Sequence, residues 1–190
     1  MFDHRRLRRT TNTVLAAIAL AALFAVAAPP TRAAADAPSR EFQLKAAYIY
    51  NFAQFIEWPE RAFAKADSPL VITVLGDSPF GNALDQVTKG RAVRGHEITV
   101  RYVQQPNAVG QTHILFVAPP HSQNPAEILR GLNGVLTIAD SDSFMTAGGL
   151  IRFFSEDNKL RFEINATAAE KGGLKVSAKL LQLAKVYKAD

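Results

Sequence analysis

Cysteine is absent from the sequence, and that absence removes several chemistries at once. Thiol nucleophiles, thiolate metal sites and disulfide redox switches all need a sulfur that this chain does not carry. A lipid-modified N-terminal cysteine is excluded for the same reason. Histidine is scarce. Of the four, His4 lies in the N-terminal leader, and His96, His113 and His121 lack the H-x-H or H-x-x-x-H spacing that brings two imidazoles to one metal. No metal site and no cofactor is expected. The P-loop, the G-x-G-x-x-G turn and the G-x-S-x-G elbow are also missing. GDSPFG (residues 76–81) offers a single leading glycine, too little to wrap a phosphate.

An excess of one charge sign is missing too, once the N-terminus is set apart. MFDHRRLRRTTNT carries four arginines, and residues 14–28 (VLAAIALAALFAVAA) form an uncharged apolar run. Ala33-Ala34-Ala35 then fits an A-x-A cleavage site before Asp36, the pattern of a secretory signal peptide. The run is shorter than the roughly 20 residues that span a bilayer comfortably. We expect residues 1–35 to be cleaved and residues 36–190 to fold as one domain in the periplasm. The leader takes five arginines and one aspartate, so 22 basic and 17 acidic residues become 17 and 16. A nearly neutral remainder gives no support to nucleic-acid binding.

What is present reads as alternating strands and helices. KAAYIYNFAQFIEWPE (45–60) concentrates aromatics, including the sole tryptophan, Trp58. At 100° per residue, Gln43, Asn51, Gln54 and Glu57 make a narrow polar stripe, and Leu44, Tyr48, Ile49, Phe52, Phe55 and Ile56 a broad apolar arc. Lys45 falls in that arc and is expected to snorkel outward. The pattern predicts a helix over 41–58, capped by Ser39 and stopped by Pro59. Strands are predicted at 70–75, 96–103, 113–117 and 134–139, with short helices at 80–87 and 125–132. LIRFFSEDNKLRFEI (150–164) reads as a hairpin turning at Glu156-Asp157-Asn158. A helix at 166–171 follows, and a last one begins at Ser177 with Leu180, Leu181, Leu183 and Ala184 as its apolar face. The fold class is α/β: a three-layer sandwich whose mixed, mostly parallel sheet ends in an antiparallel hairpin and a C-terminal helix.

Ligands of open α/β sheets bind beyond the carboxyl ends of the strands. Those ends carry Asp77, Ser78, His121, Asp140 and Ser143, a candidate small-molecule crevice. As an enzyme, His121 would be the base, Ser78 or Ser143 the nucleophile and Asp140 the orienter. Serine and aspartate are also the ordinary capping and turn residues at such places, and a non-enzymatic protein is expected. For a binding protein, the aromatics and arginines that anchor interfaces nominate Tyr50, Trp58, Arg152, Phe154 and Arg161.

Three stretches together are distinctive: KAAYIYNFAQFIEWPE, VLGDSPFGNAL and GGLIRFFSEDNKLRFEINATAAEKGGLKVSAKLLQLAKVY. In order and spacing they resemble the YfiR family across nearly the entire predicted mature chain. The resemblance implies a periplasmic, non-enzymatic α/β protein that represses an inner-membrane diguanylate cyclase through its periplasmic domain. It also implies relief of repression by an outer-membrane YfiB-like lipoprotein, a homodimer, and cyclic di-GMP and biofilm formation as outputs. The alternative is a periplasmic sensory module with a small ligand in the strand-end crevice. The chain departs from the family's best-known members in lacking their cysteines. Thr112-His113 stands where the resemblance places one, so thiol gating cannot operate here.

Overall fold

Ser39 and Pro59 bracket the first helix as expected, but the helix stops early. The computed structural model describes residues 38–188; the leader (1–35) and its cleavage site lie outside the described residues. Helix α1, Arg40–Phe55, starts at Ser39, whose Oγ accepts from the Phe42 N–H at 3.4 Å. Its buried positions Lys45, Ala46, Ile49, Phe52 and Ala53 recur at helical spacing on one face. The predicted continuation to Trp58 is corrected. Ile56–Glu57 is extended as strand β1, paired antiparallel with β9, Lys175–Val176. The residue before proline disfavours helical backbone, and Ile56 is fully buried as a strand residue.

The main sheet has eight strands. They are β2 (Leu70–Leu75), β3 (Ala92–Val93), β4 (His96–Val103), β5 (Ile114–Val117), β6 (Leu136–Ala139), β7 (Ile151–Glu156), β8 (Lys159–Ile164) and β10 (Lys185–Val186). Their order is β10-β8-β7-β6-β5-β2-β4-β3. The pairs β4–β2, β2–β5, β5–β6, β6–β7 and β8–β10 are parallel; β3–β4 and the β7–β8 hairpin are antiparallel. The predicted mixed, mostly parallel α/β architecture is therefore present.

Side chains alternate between two faces, as the pleat requires. Ile72, Val74, Ile114, Phe116, Ile138 and Phe153 point into the larger core. That core also takes α1, Ala83 and Leu84 of α2 (Ala83–Thr88), Ala169 of α5 (Ala166–Lys171) and Leu180 of α6 (Ala178–Leu183). Leu75, Leu115, Val117 and Ala139 face the other way, against Ile128 and Leu129 of α3 (Pro125–Leu129) and Phe144 and Met145 of α4 (Asp142–Thr146). The aromatic density of α1 is a core feature: Phe52 lies 4.9 Å from Phe162 and 5.7 Å from Phe153, ring centroid to centroid.

Two further expectations are corrected. The last helix does not run to the end of its apolar segment. It closes at Leu183, and Lys185–Val186 joins the sheet beside β8. Strand pairing and the Tyr187 N–H bond to the Ile164 carbonyl (2.8 Å) satisfy backbone that a longer helix would have paired internally. Leu183, assigned to the buried face, is 65% exposed. Lys45 does not snorkel; it is 3% exposed. Among the described residues, no helix is long and apolar enough to cross a membrane.

Candidate functional site

The chain leaves β2 for β4 through α2 on one face, and leaves β5 for β6 through α3 on the other. The carboxyl ends of β2 and β5, which are adjacent, therefore form the switch point where a doubly wound sheet opens a crevice. Gly76 stands there with φ +94°. Its backbone conformation favours glycine, and a Cβ at this position would crowd the His121 ring, lying 3.2 Å from Cδ2. His121 is half-buried, and its Nε2 lies 3.1 Å from the Gln104 carbonyl, to which it donates. Asp77 is exposed, and Ser78 Oγ accepts from the Phe80 N–H of its own turn.

At the end of β6 the polar groups are tied more tightly. Lys45 Nζ lies 2.8 Å from Asp140 Oδ2 and 2.6 Å from a Glu41 carboxylate oxygen, with the Phe42 ring 4.5 Å away. Burial raises the Asp140 carboxyl above its ordinary range, and the Lys45 ammonium offsets part of that rise. Ser141 donates to the Ser122 carbonyl and lies 3.3 Å from Ser143, which is exposed. Among the described residues no hydrogen bond links His121 to Ser78, Ser143 or Asp140. The five crevice residues gather at one end of the sheet, but base, nucleophile and orienter are not connected. Among the described residues there is also no group of three or more metal-ligating side chains.

The opposite end of the strands holds an assembly that the sequence reading missed. Phe63 stacks on His96 (3.7 Å, 7° between planes) and on His113 (4.4 Å), with Trp58 edge-on to His113. His113, read from the sequence as a satisfied strand-end residue, is 2% exposed. Its Nδ1 accepts from the Val71 N–H at 3.0 Å, and its Nε2 donates to the Ala62 carbonyl at 3.0 Å. Burial holds its pKa below the usual imidazole value, which matches the neutral form that those bonds need. Thr112, at the position considered for a cysteine, is buried and accepts from the Thr73 hydroxyl at 2.9 Å. A pocket of about 410 Å³ opens beside this stack, with Trp58, Phe63, Leu70, Val93, Arg94 and His96 in its wall. The one available signal was that His96 and His113 both stand at the start of predicted strands.

The interface candidates fall in three places. Tyr50 lies on α1 under the Arg91 guanidinium, 4.6 Å from its ring centroid. Trp58 is half-buried against the core, and its indole N–H donates to the His113 carbonyl at 3.2 Å. Arg152, Phe154 and Arg161 are brought together, because the hairpin register sets Phe154 opposite Arg161 and Arg152 opposite Glu163 on one face. Arg152 is mostly buried and pairs with Asp142 and, at 2.7 Å, with Glu163. The Phe154 ring centroid lies 5.4 Å from the Arg152 guanidinium carbon and 5.6 Å from Lys185 Nζ. Arg161 is half-exposed, 3.9 Å from Glu156.

The family described as YfiR/HmsC-like matches residues 42–185. No curated protein matches the chain. Among solved structures it is similar to one described as the ABC domain in complex with L-Trp from Streptococcus pneumonia, with 13% identity and a TM-score of 0.44. That alignment covers 77% of this chain, which spans 60% of the other.

Proposed function

Because this chain belongs to the YfiR/HmsC-like family, we propose that it is a periplasmic regulator of an inner-membrane diguanylate cyclase. It binds the cyclase's periplasmic domain and lowers cyclic di-GMP and, with it, biofilm formation. The family match over residues 42–185 carries this reading. A regulator shifts a two-state enzyme only by binding its inactive arrangement more tightly. That task needs an interface rather than a reactive group, in keeping with an unconnected His121. Homodimerisation, and release through an outer-membrane YfiB-like lipoprotein, belong to the same proposal. Release must come from a partner or a ligand, since no thiol is present.

The test is cyclic di-GMP in cells with the gene deleted and then restored. A rise on deletion, reversed by the full chain and not by a version without residues 1–35, is the expected result. An unchanged level with the cyclase expressed removes the reading.

A sensory reading is favoured by one observation, the pocket beside Trp58 and His96. It differs in place from the predicted crevice at Asp77, Ser78, His121, Asp140 and Ser143. A ligand at 100 times its dissociation constant adds about 2.7 kcal/mol of stability, so a thermal-shift screen of small metabolites tests it. Hits abolished by a bulky substitution at Val93 would assign them to this pocket.

A further inference from the structure

The pocket at the amino ends of β2 and β4 encloses about 410 Å³, within the range that small-molecule sites occupy. Its apolar wall is fixed. Leu70 and Val93 are almost fully buried. The Trp58 indole is held by its N–H bond to the His113 carbonyl at 3.2 Å, and Phe63 by stacking on His96 and His113. Trp58 therefore presents ring surface rather than a free donor. A wall set before the ligand arrives spares binding part of its ordering entropy.

The charges around it balance. Glu60, Lys65 and Arg94 line the pocket, and all three are exposed. Arg94 is paired with Glu57 at 3.1 Å, which leaves Glu60 and Lys65, one of each sign and both open to screening by solvent. The fold sets one polar atom more firmly. His96 Nδ1 lies 2.7 Å from the Ser68 carbonyl. A carbonyl only accepts, so Nδ1 carries the proton, and in the neutral ring Nε2 keeps a bare lone pair. Among the described residues no group donates to that nitrogen.

We propose that this pocket takes an uncharged, planar aromatic molecule of one or two fused rings that carries an N–H or O–H donor, of the indole or phenol class. The rings lie against Trp58 and the apolar wall, and the donor bonds His96 Nε2. An apolar lining supplies affinity and one placed polar group supplies orientation. An analogue without the donor leaves that nitrogen unpaired and binds more weakly. The proposal rests on the sensory reading of this pocket and names its ligand class.

The test titrates indole, benzofuran, indole-3-carboxylate and tryptamine into the protein by calorimetry, with NMR shifts to locate the contact. Benzofuran keeps the shape without the donor, and the last two probes add a charge of either sign. Indole binds at least about tenfold tighter than each of the other three and shifts residues around Val93 and His96. Its affinity holds as salt rises, because an uncharged ligand gives salt little to screen. His96→Phe keeps an aromatic ring and brings indole down to the affinity of benzofuran. Ala66→Trp fills the pocket from an exposed position and abolishes binding with the melting temperature unchanged. Equal affinity for indole and benzofuran overturns the proposal, as does tighter binding of either charged probe or shifts confined to another face. The comparison of indole with benzofuran needs only the natural chain, so it decides even where His96→Phe fails to fold. Ligand class and pocket fail separately. If none of the four binds, but the metabolite screen yields compounds that Ala66→Trp excludes, the class falls and the sensory reading stands. If the screen yields none either, both fall.

Discussion

Beyond the carboxyl end of β6 a part-buried ion pair ties two elements together, whereas before the amino end of β5 a buried imidazole is held neutral and stacked. Lys45 reaches from α1 to Asp140 beyond β6, an ion pair 95 residues apart in the chain. Before β5, His113 is held as a neutral ring by Val71 and Ala62 and packed against Phe63 and Trp58. Ligand sites in this architecture are usual at the first end. Here His121 and Ser78 of that end are bonded to backbone groups and Asp140 to Lys45, and a pocket stands at the second, with Trp58 and Phe63 beside Glu60, Lys65 and Arg94 in its wall. An α/β topology names the end where a ligand site usually forms, but the side chains decide whether it is free.

The largest effect expected from breaking this contrast is at Lys45. Lys45→Met leaves Asp140, itself only partly buried, without its cation; removing one member of a fully buried pair costs about 3–5 kcal/mol, and solvent reaching Asp140 brings the expected loss down to about 2–3 kcal/mol. Urea unfolding should show that loss, and Asp140→Asn added to it should recover a substantial part. A cost below about 1 kcal/mol would mean that the pair behaves like a surface salt bridge, and the contrast between the ends would disappear. His113→Phe is the counterpart at the other end. It keeps an aromatic ring beside Phe63 and leaves the Ala62 carbonyl with its bond from Gln111 at 3.2 Å, but the Val71 N–H loses its partner, at a cost of about 1–3 kcal/mol. If His113→Phe proves neutral, the ring holds its place by stacking alone.

The sequence made the strands and the hairpin legible because β-branched runs and polar turns are local signals. β2, β4 and α5 fall where they were predicted, and Asn165 caps α5 by accepting from the Ala168 N–H at 3.0 Å. What periodicity could not reveal depended on contacts distant in sequence. The helix wheel put Lys45 in the apolar arc, and only the fold supplied Asp140 to keep it there. Ile56–Glu57 and Lys185–Val186 became strands because β9 and β8 offered them partners. Of the interface candidates, the alternation of the hairpin joined Arg152, Phe154 and Arg161, and nothing local could separate them from Tyr50 and Trp58. The pocket beside Phe63 went unseen because its wall is gathered from a loop and the starts of β2 and β4.

The two ends also predict opposite pH slopes, each limited to about 1.4 kcal/mol per pH unit for a single group. His113 is lowered by burial. Its contribution is full above the unfolded value of about 6.5 and is lost as the pH falls from there through the folded value. Asp140 is raised by burial. Its contribution is present below the unfolded value of about 3.9 and is lost as the pH rises through the folded value. Denaturant midpoints against pH should therefore flatten near neutrality in His113→Phe and only at acid pH in Asp140→Asn. Identical profiles in the two variants would remove the distinction.

The smallest effect expected, and the one that most sharpens the amino end, is at Trp58. Its indole N–H donates to the same His113 carbonyl that accepts from Leu136, at 3.2 and 2.8 Å. Trp58→Phe keeps most of the packing and leaves that carbonyl with the Leu136 bond, so the expected loss is about 1 kcal/mol, the net worth of one hydrogen bond. The same ring lines the 410 Å³ pocket, and as the chain's sole tryptophan its fluorescence reports this place alone. A loss near 1 kcal/mol, with natural-chain emission unmoved by any compound that raises the melting temperature, makes the stack a structural keystone of the amino end. No loss, together with emission shifted by such compounds, makes Trp58 a wall of a working pocket, and the ligand end of this sheet is then the amino end.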